Sequence, residues 1–281
     1  TAPLLMEDLD LMTRPVNYLS YETVSNDGQA HDVSLYFEAA PQWAVDQPYQ
    51  KSVSKTGSAE GITYVSTGSA EQNILAKRGD DLRIDWGYFY MAAPQSENIS
   101  VAAGDGIALR KAFVAGNSLD SQSTGGFDKL VFSCDLGNEK NASGYVMLAY
   151  DDIYSIQYFG QNLRPYWNRN QNETIFSQMK KAVAEYDGLM EQCTAFDSKL
   201  FTEAENAGGR EYAELCALAY RQVMAAHKLV ESPEGELLYL SKENFSNGCI
   251  NTVDLTYPSA PLFLVYNPEL QKGMMNGIFY Y

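Results

Sequence analysis

The residues best suited to chemistry lie between Ser241 and Pro261, where Lys242, Glu243, Asn244, Asn247, Asp254 and Tyr257 share a short stretch with Gly248 and two prolines. Two carboxylates held in unlike surroundings can divide acid and base roles, one neutral in an apolar pocket and one ionised in a polar one. Glu243 and Asp254 are therefore the candidate catalytic pair, with Asn244, Asn247 and Tyr257 as candidate substrate ligands. Lys242 is a candidate partner for Glu243 or for a substrate carboxylate. Amide hydrolysis and glycoside hydrolysis can both use such a pair, and in glycosidases the carboxylate separation sets the stereochemistry. Apolar segments flank the stretch, which is how a rigid scaffold presents a loop for binding or catalysis. The competing reading is a polar connector whose Asn and Asp residues cap helices and close turns. Tyr257-Pro258-Ser259-Ala260-Pro261 is expected to be extended, because each proline fixes its own φ and biases the residue before it.

A second cluster, Asp85-Trp86-Gly87-Tyr88 with Tyr90 beyond it, offers Trp86 either as a sugar platform or as half of an interdomain contact. Other chemistries find no support. There is no G-x-S-x-G elbow and no Walker loop. The two histidines, His31 and His227, stand outside any H-E-x-x-H pattern, so neither a metal nor a cofactor is expected. Ser52-Val-Ser-Lys55 fits S-x-x-K but reads as a polar loop with no helix to carry it, a chance match. Four widely spaced cysteines argue against a zinc knuckle or a disulfide-dense scaffold. A net charge of -16 would repel nucleic acid or an anionic bilayer, which leaves a small-molecule substrate as the expected partner. No apolar run approaches the ~20 residues that span a bilayer.

The elements that must hold these residues change character near residue 150. Val16 to Val24 and Val33 to Ala39 flank Asn26-Asp27-Gly28 and read as an antiparallel hairpin. Ile62–Ser66, Asp81–Trp86, Tyr88–Ala92, Ile107–Val114, Leu130–Cys134 and Tyr145–Tyr150 read as further strands, which together suggest a β-sandwich. Beyond Tyr150 the apolar period moves from two toward 3.6. Helices are expected after Asp151 or Asp152, from an Asn172 cap, over Asp197–Asn206 ending at Gly208-Gly209, over Glu211–Val230, and from Asn267-Pro268-Glu269 onward. The Glu211–Val230 segment is apolar nearly all round and is expected to be buried on nearly all sides. Half-wet helices alternating with a buried one suit two concentric helical layers better than a four-helix bundle.

Three strings carry a resemblance: KENFSNGCINTVDLTYPSAPLFLVYNPELQKGM from Lys242, CALAYRQ from Cys216, and GDDLRIDWG from Gly79. With them the chain resembles the glutaminase A-like proteins of bacteria and fungi over most of its length. The resemblance implies an α+β multidomain chain, an antiparallel β-sandwich over 1–150 followed by the first helices of an (α/α)6 toroid over 151–281. A full toroid needs ~12 helices of ~11 residues, so the chain is expected to hold only its opening part and to lack some N-terminal strands. The first residue is Thr1, which leads us to expect that a targeting segment has been removed or that this is part of a longer product. The resemblance further implies a secreted, periplasmic or surface hydrolase that converts glutamine to glutamate and ammonia in its full-length form, this segment alone being inactive. A carbohydrate-active enzyme acting on a glycan and a catalytically silent binding module remain the alternatives.

Overall fold

A computed structural model describes residues 1–242 and 246–280. The chain opens with a short helix, α1 (Leu9–Thr13), and two strands, β1 (Val16–Val24) and β2 (His31–Ala39). It continues through β3 (Ser52–Ala59), β4 (Ile62–Ser69), β5 (Tyr88–Pro94) and β6 (Ile99–Gly104) to a helix, α2 (Gly106–Val114). Two long strands, β7 (Lys129–Glu139) and β8 (Asn141–Asp151), complete two antiparallel sheets, ordered β1-β8-β5-β4-β3 and β2-β7-β6. Apolar residues alternate inward along the strands, and Met91, Leu130, Phe132 and Val146 from both sheets interleave with no exposed surface.

The helical half begins after a small hairpin of β9 (Ile156–Tyr158) and β10 (Gln161–Leu163). Helix α3 (Ile175–Gly208) then runs across the outer face of the five-stranded sheet, where Ile175, Met179, Ala182 and Leu189 meet Val16, Tyr18, Tyr90 and Met147. Phe176 packs on Tyr64 and Tyr90, and Tyr186 on Tyr18 and Tyr145, so the sheet has apolar cover on both faces. A capping box of Thr174 and Ser177 starts α3, and Gly209 (φ +85°) ends it in a conformation that favours glycine. Helix α4 (Arg210–Ala225), the hairpin of β11 (His227–Glu231) and β12 (Leu237–Ser241), α5 (Val253–Tyr266) and α6 (Pro268–Phe279) follow. They enclose a third core of Tyr220, Met224, Tyr239, Phe263, Leu270 and Met274. The N-terminal segment closes that core through Met6 and Met12, with Tyr220 Oη donating to Leu4 O at 2.6 Å and Asn267 Nδ2 to Met6 O at 2.6 Å. No helix among the described residues is long and apolar enough to cross a membrane.

The antiparallel sandwich and the helices after it match expectation, as does the Asn267-Pro268-Glu269 helix start, where Asn267 Oδ1 accepts from Glu269 N at 3.1 Å. Several local expectations are overturned. Strands β1 and β2 do not pair with each other: β1 pairs with β8 and β2 with β7, so a two-stranded ribbon turns the corner from one sheet to the other. Residues 107–114 form α2, because the Asp105 carboxylate caps the turn by accepting from Ala108 N. Residues 81–86 form a loop, whereas Ser52-Val-Ser-Lys55, read as a loop, opens β3. The helix expected after Asp151 is instead the β9–β10 hairpin, since Ile153, Phe159 and Gly160 all adopt positive φ. The cap is Thr174 rather than Asn172, and Asp197–Asn206 is the last part of α3 rather than a separate helix. The helix from residue 211 stops at Ala225, and Tyr212, Leu215 and Leu218 on it are exposed. Residues 253–261 belong to α5, with Pro258 and Pro261 inside the helix.

Candidate functional site

Two of the three resemblance strings meet in space. Asp80 and Asn247 form an antiparallel bridge, Gly248 N donates to Gly79 O at 2.8 Å, and Asp81 N donates to Ser246 O at 2.9 Å. The loop after β12 is pinched at its neck by a second bridge, Lys242 with Ile250, and by Asn251 N donating to Ser241 O at 2.8 Å. Gly248 needs its small size here, as a Cβ would lie 3.0 Å from Leu82 Cδ1. The contact thus joins the loop before β5 to the hairpin of the helical half.

Buried charges lie beneath this contact. On the sandwich side, Lys77 Nζ bridges Asp46 at 3.2 Å and Asp85 at 2.5 Å, while Gln50 Nε2 donates to Asp85 at 3.0 Å. Burial pushes the Asp46 carboxyl up, but the Arg83 N–H and the Lys77 ammonium outweigh it and hold the group below the usual carboxylate range. Asp85 is 1% exposed, and its Oδ1 has no partner. On the helical side, Asp152 Oδ2 accepts from Ser155 Oγ at 2.7 Å and pairs with Lys228 Nζ at 2.7 Å, while its Oδ1 has no partner. Burial pushes Asp151 up, and it lowers Lys242, which the neighbouring Lys228 lowers further against the pull of Asp152. Two orphaned buried carboxylate oxygens, with a half-buried Lys242 that has no ion pair among the described residues, are costly, and clusters of perturbed groups of this kind are commonest at functional sites.

The expected site residues divide accordingly. Glu243 and Asn244 lie outside the described residues. Asn247 and Lys242 are brought onto one hairpin, which rests on the loop leading to Trp86. Trp86 is an anchor: its Nε1 donates to Asp152 O at 2.8 Å and Tyr154 O at 2.9 Å, and Tyr150 Oη donates to Trp86 O at 2.6 Å. Its polar edge is therefore committed to the protein, and Tyr90 packs against Phe176 of α3. Asp254 and Tyr257 sit three residues apart on the first turns of α5, both exposed, where the helix N-terminus favours a carboxylate. No hydrogen bond or ion pair among the described residues links them to Lys242 or Asn247. Asp152 and Lys228 escaped the sequence reading because both were assigned to helices. The only available signal was the adjacent acidic pair Asp151-Asp152, where sandwich passes into helical half.

Residues 1–203 match the family model described as a domain of unknown function, DUF5127, and residues 209–281 match that of the glutaminase A six helical-hairpin domain. Glutaminase A of Aspergillus oryzae is 26% identical over 293 aligned positions, covering 99% of this chain and 42% of that protein. A protein of Arthroderma benhamiae named as a probable glutaminase is 22% identical, covering 89% of this chain and 31% of its own length. The chain thus spans less than half the length of these curated relatives. Among solved structures, a protein named as a kojibiose phosphorylase from the human microbiome superposes at a TM-score of 0.36 and 10% identity, over 78% of this chain and 24% of that one. With one family model spanning most of its length and the second taking up nearly all the rest, the chain belongs to the glutaminase A-like family, with a DUF5127 match followed by a match to the glutaminase A six helical-hairpin domain.

Proposed function

We propose that this chain supplies the sandwich and first hairpins of a secreted hydrolase that cleaves the side-chain amide of L-glutamine to glutamate and ammonia. The observation that supports it most is the closure of the signature hairpin onto residues 79–81, with half-buried Lys242 at its neck and no ion pair for that residue among the described residues, in a chain similar to Glutaminase A over 99% of its length. A substrate bearing a carboxylate complements that cation, whereas a neutral glycan does not. Glu243 and Asp254 are the proposed acid–base pair. One removes a proton from water as it attacks the amide carbon, and the other protonates the departing nitrogen so that it leaves as ammonia. Asn244, Asn247 and Tyr257 are proposed to hydrogen-bond the substrate, and Trp86 to brace the site from below.

The test is ammonia release from L-glutamine by the protein produced from its whole reading frame, alongside a glycan panel. Glutamine turnover that falls at least about a hundredfold in Glu243→Gln and in Asp254→Asn is expected, general acid–base groups contributing on that order. Sugar release without ammonia would overturn the reading.

A further inference from the structure

We infer that Asp46, acting through Lys77 and Arg83, sets the position of residues 79–81 and, through them, of the signature hairpin. The inference rests on the candidate site described above and adds three positioning residues to it, all on the sandwich side.

Residues 70–87, the connection from β4 to β5, hold a conformation that their sequence does not favour. Gln72, Leu75 and Asp81 adopt φ of +50°, +51° and +53°, left-handed backbone that a non-glycine residue keeps only where its surroundings impose it. At the base of the connection the restraint is Gln72, whose Oε1 accepts from Gly87 N at 2.7 Å and whose Nε2 donates to Gly87 O at 3.1 Å. Further out, where 79–81 meet the hairpin, the restraint is ionic.

Asp46 supplies the fixed end. Ala44, two residues before it, belongs to the core between the sheets, the Asp46 N–H donates to Gln50 Oε1 at 2.7 Å, and the Asp46 side chain is 5% exposed. Its Oδ1 accepts from Arg83 N at 3.1 Å and lies 3.7 Å from Arg83 Nη1, while its Oδ2 pairs with Lys77 Nζ at 3.2 Å. One buried carboxylate therefore grips the connection on both sides of residues 79–81. Arg83 Nη2 continues to Asp81 Oδ1 at 3.1 Å, and Asp81 N donates to Ser246 O at 2.9 Å, so an unbroken run of polar contacts leads from the core to the hairpin. Loss of either grip frees Asp81 to leave the left-handed region, and the hydrogen bonds of 79–81 to the hairpin loosen with it. Lys77 also pairs with Asp85 at 2.5 Å, so it keeps a partner when Asp46 is replaced.

The experiment follows amide hydrogen exchange in the protein from its whole reading frame, well below its unfolding temperature. Asp46→Asn keeps an acceptor for Arg83 N but gives up the charge, and Arg83→Gln cuts the link to Asp81. Each should speed exchange at the amides of Asp81 and Gly248 by about tenfold or more, the effect of losing a charge-assisted hydrogen bond, with the β2–β7 ladder unchanged. Arg83→Lys, which keeps the charge, should restore part of the protection, and turnover of L-glutamine per folded molecule should fall in the same order as the protection. Exchange unchanged at the two amides, or speeded equally along the β2–β7 ladder, would overturn the inference and leave these residues with a stabilising role alone. Faster exchange at the two amides with glutamine turnover intact would overturn it as well. If Asp46→Asn does not fold, Arg83→Gln, at a side chain 43% exposed, decides alone. If the unsubstituted protein releases no ammonia from glutamine, the glutaminase reading fails, and the exchange rates still decide whether Asp46 holds the contact.

Discussion

The interior of the sandwich and the junction above residues 79–87 are built on opposite terms. Between the sheets the core is largely apolar and closed: Met91, Leu130, Phe132 and Val146 expose nothing. At the junction Asp85 and Asp152 each keep a buried oxygen without a donor, and half-buried Lys242 has no ion pair among the described residues. The first region is arranged as stability requires, and the second departs from it at several neighbouring residues. Natural proteins tolerate such departures where function needs them, so the contrast singles out the junction for chemistry on physical grounds alone.

Substitutions on either side sharpen the contrast. Phe132→Ala should cost about 3–5 kcal/mol in denaturant unfolding, the price of emptying a close-packed site, without changing turnover per folded molecule. Gly87→Ala comes next. Gly87 has φ +81°, and a Cβ there would collide with the carbonyl oxygen of Asp151, so a loss of about 1–3 kcal/mol is expected together with reduced activity. Lys242→Met should act in the opposite direction, raising stability by roughly 1 kcal/mol by removing an unmatched, half-buried charge while weakening glutamine turnover. A loss of stability in that variant would erase the contrast.

The fourth expectation concerns pH. His227 is stacked on Tyr239, donates Nδ1–H to Val223 O at 2.7 Å and has no partner at Nε2, so burial holds its pKa below the ordinary 6.5. The unfolded chain then binds the proton more readily, and the contribution of His227 is complete above 6.5 and lost as pH falls below it. His227→Asn keeps a donor for Val223 and should flatten the fall in unfolding free energy between neutral and mildly acidic pH. An unchanged slope would mean that the ring is not neutral by necessity.

Much of the fold was legible because it follows from local pattern. Short apolar runs mark β5, β7 and β8, and Asn267-Pro268-Glu269 starts α6 in sequence as in space. Helix α5 was not legible, because two prolines inside it argue against a helix, and what holds it is tertiary packing that buries Thr256, Ser259 and Phe263 on one side. The partners of β1 and β2 were equally hidden, since both ends of each pairing lie far apart in the chain. The site was half legible for the same reason. Asn247 and Lys242 announce themselves by composition, whereas Asp152 and Lys228 acquire meaning only once the β11–β12 hairpin lies against the end of the sandwich.

Hydrogen exchange of the protein from its whole reading frame, with and without saturating L-glutamate, tests most directly whether the junction is the binding site. The amides of Asp81 and Gly248, which carry the hydrogen bonds between the two segments, should slow together on binding while those of the β2–β7 ladder stay unchanged. Protection elsewhere in the molecule with none at these two amides would contradict it.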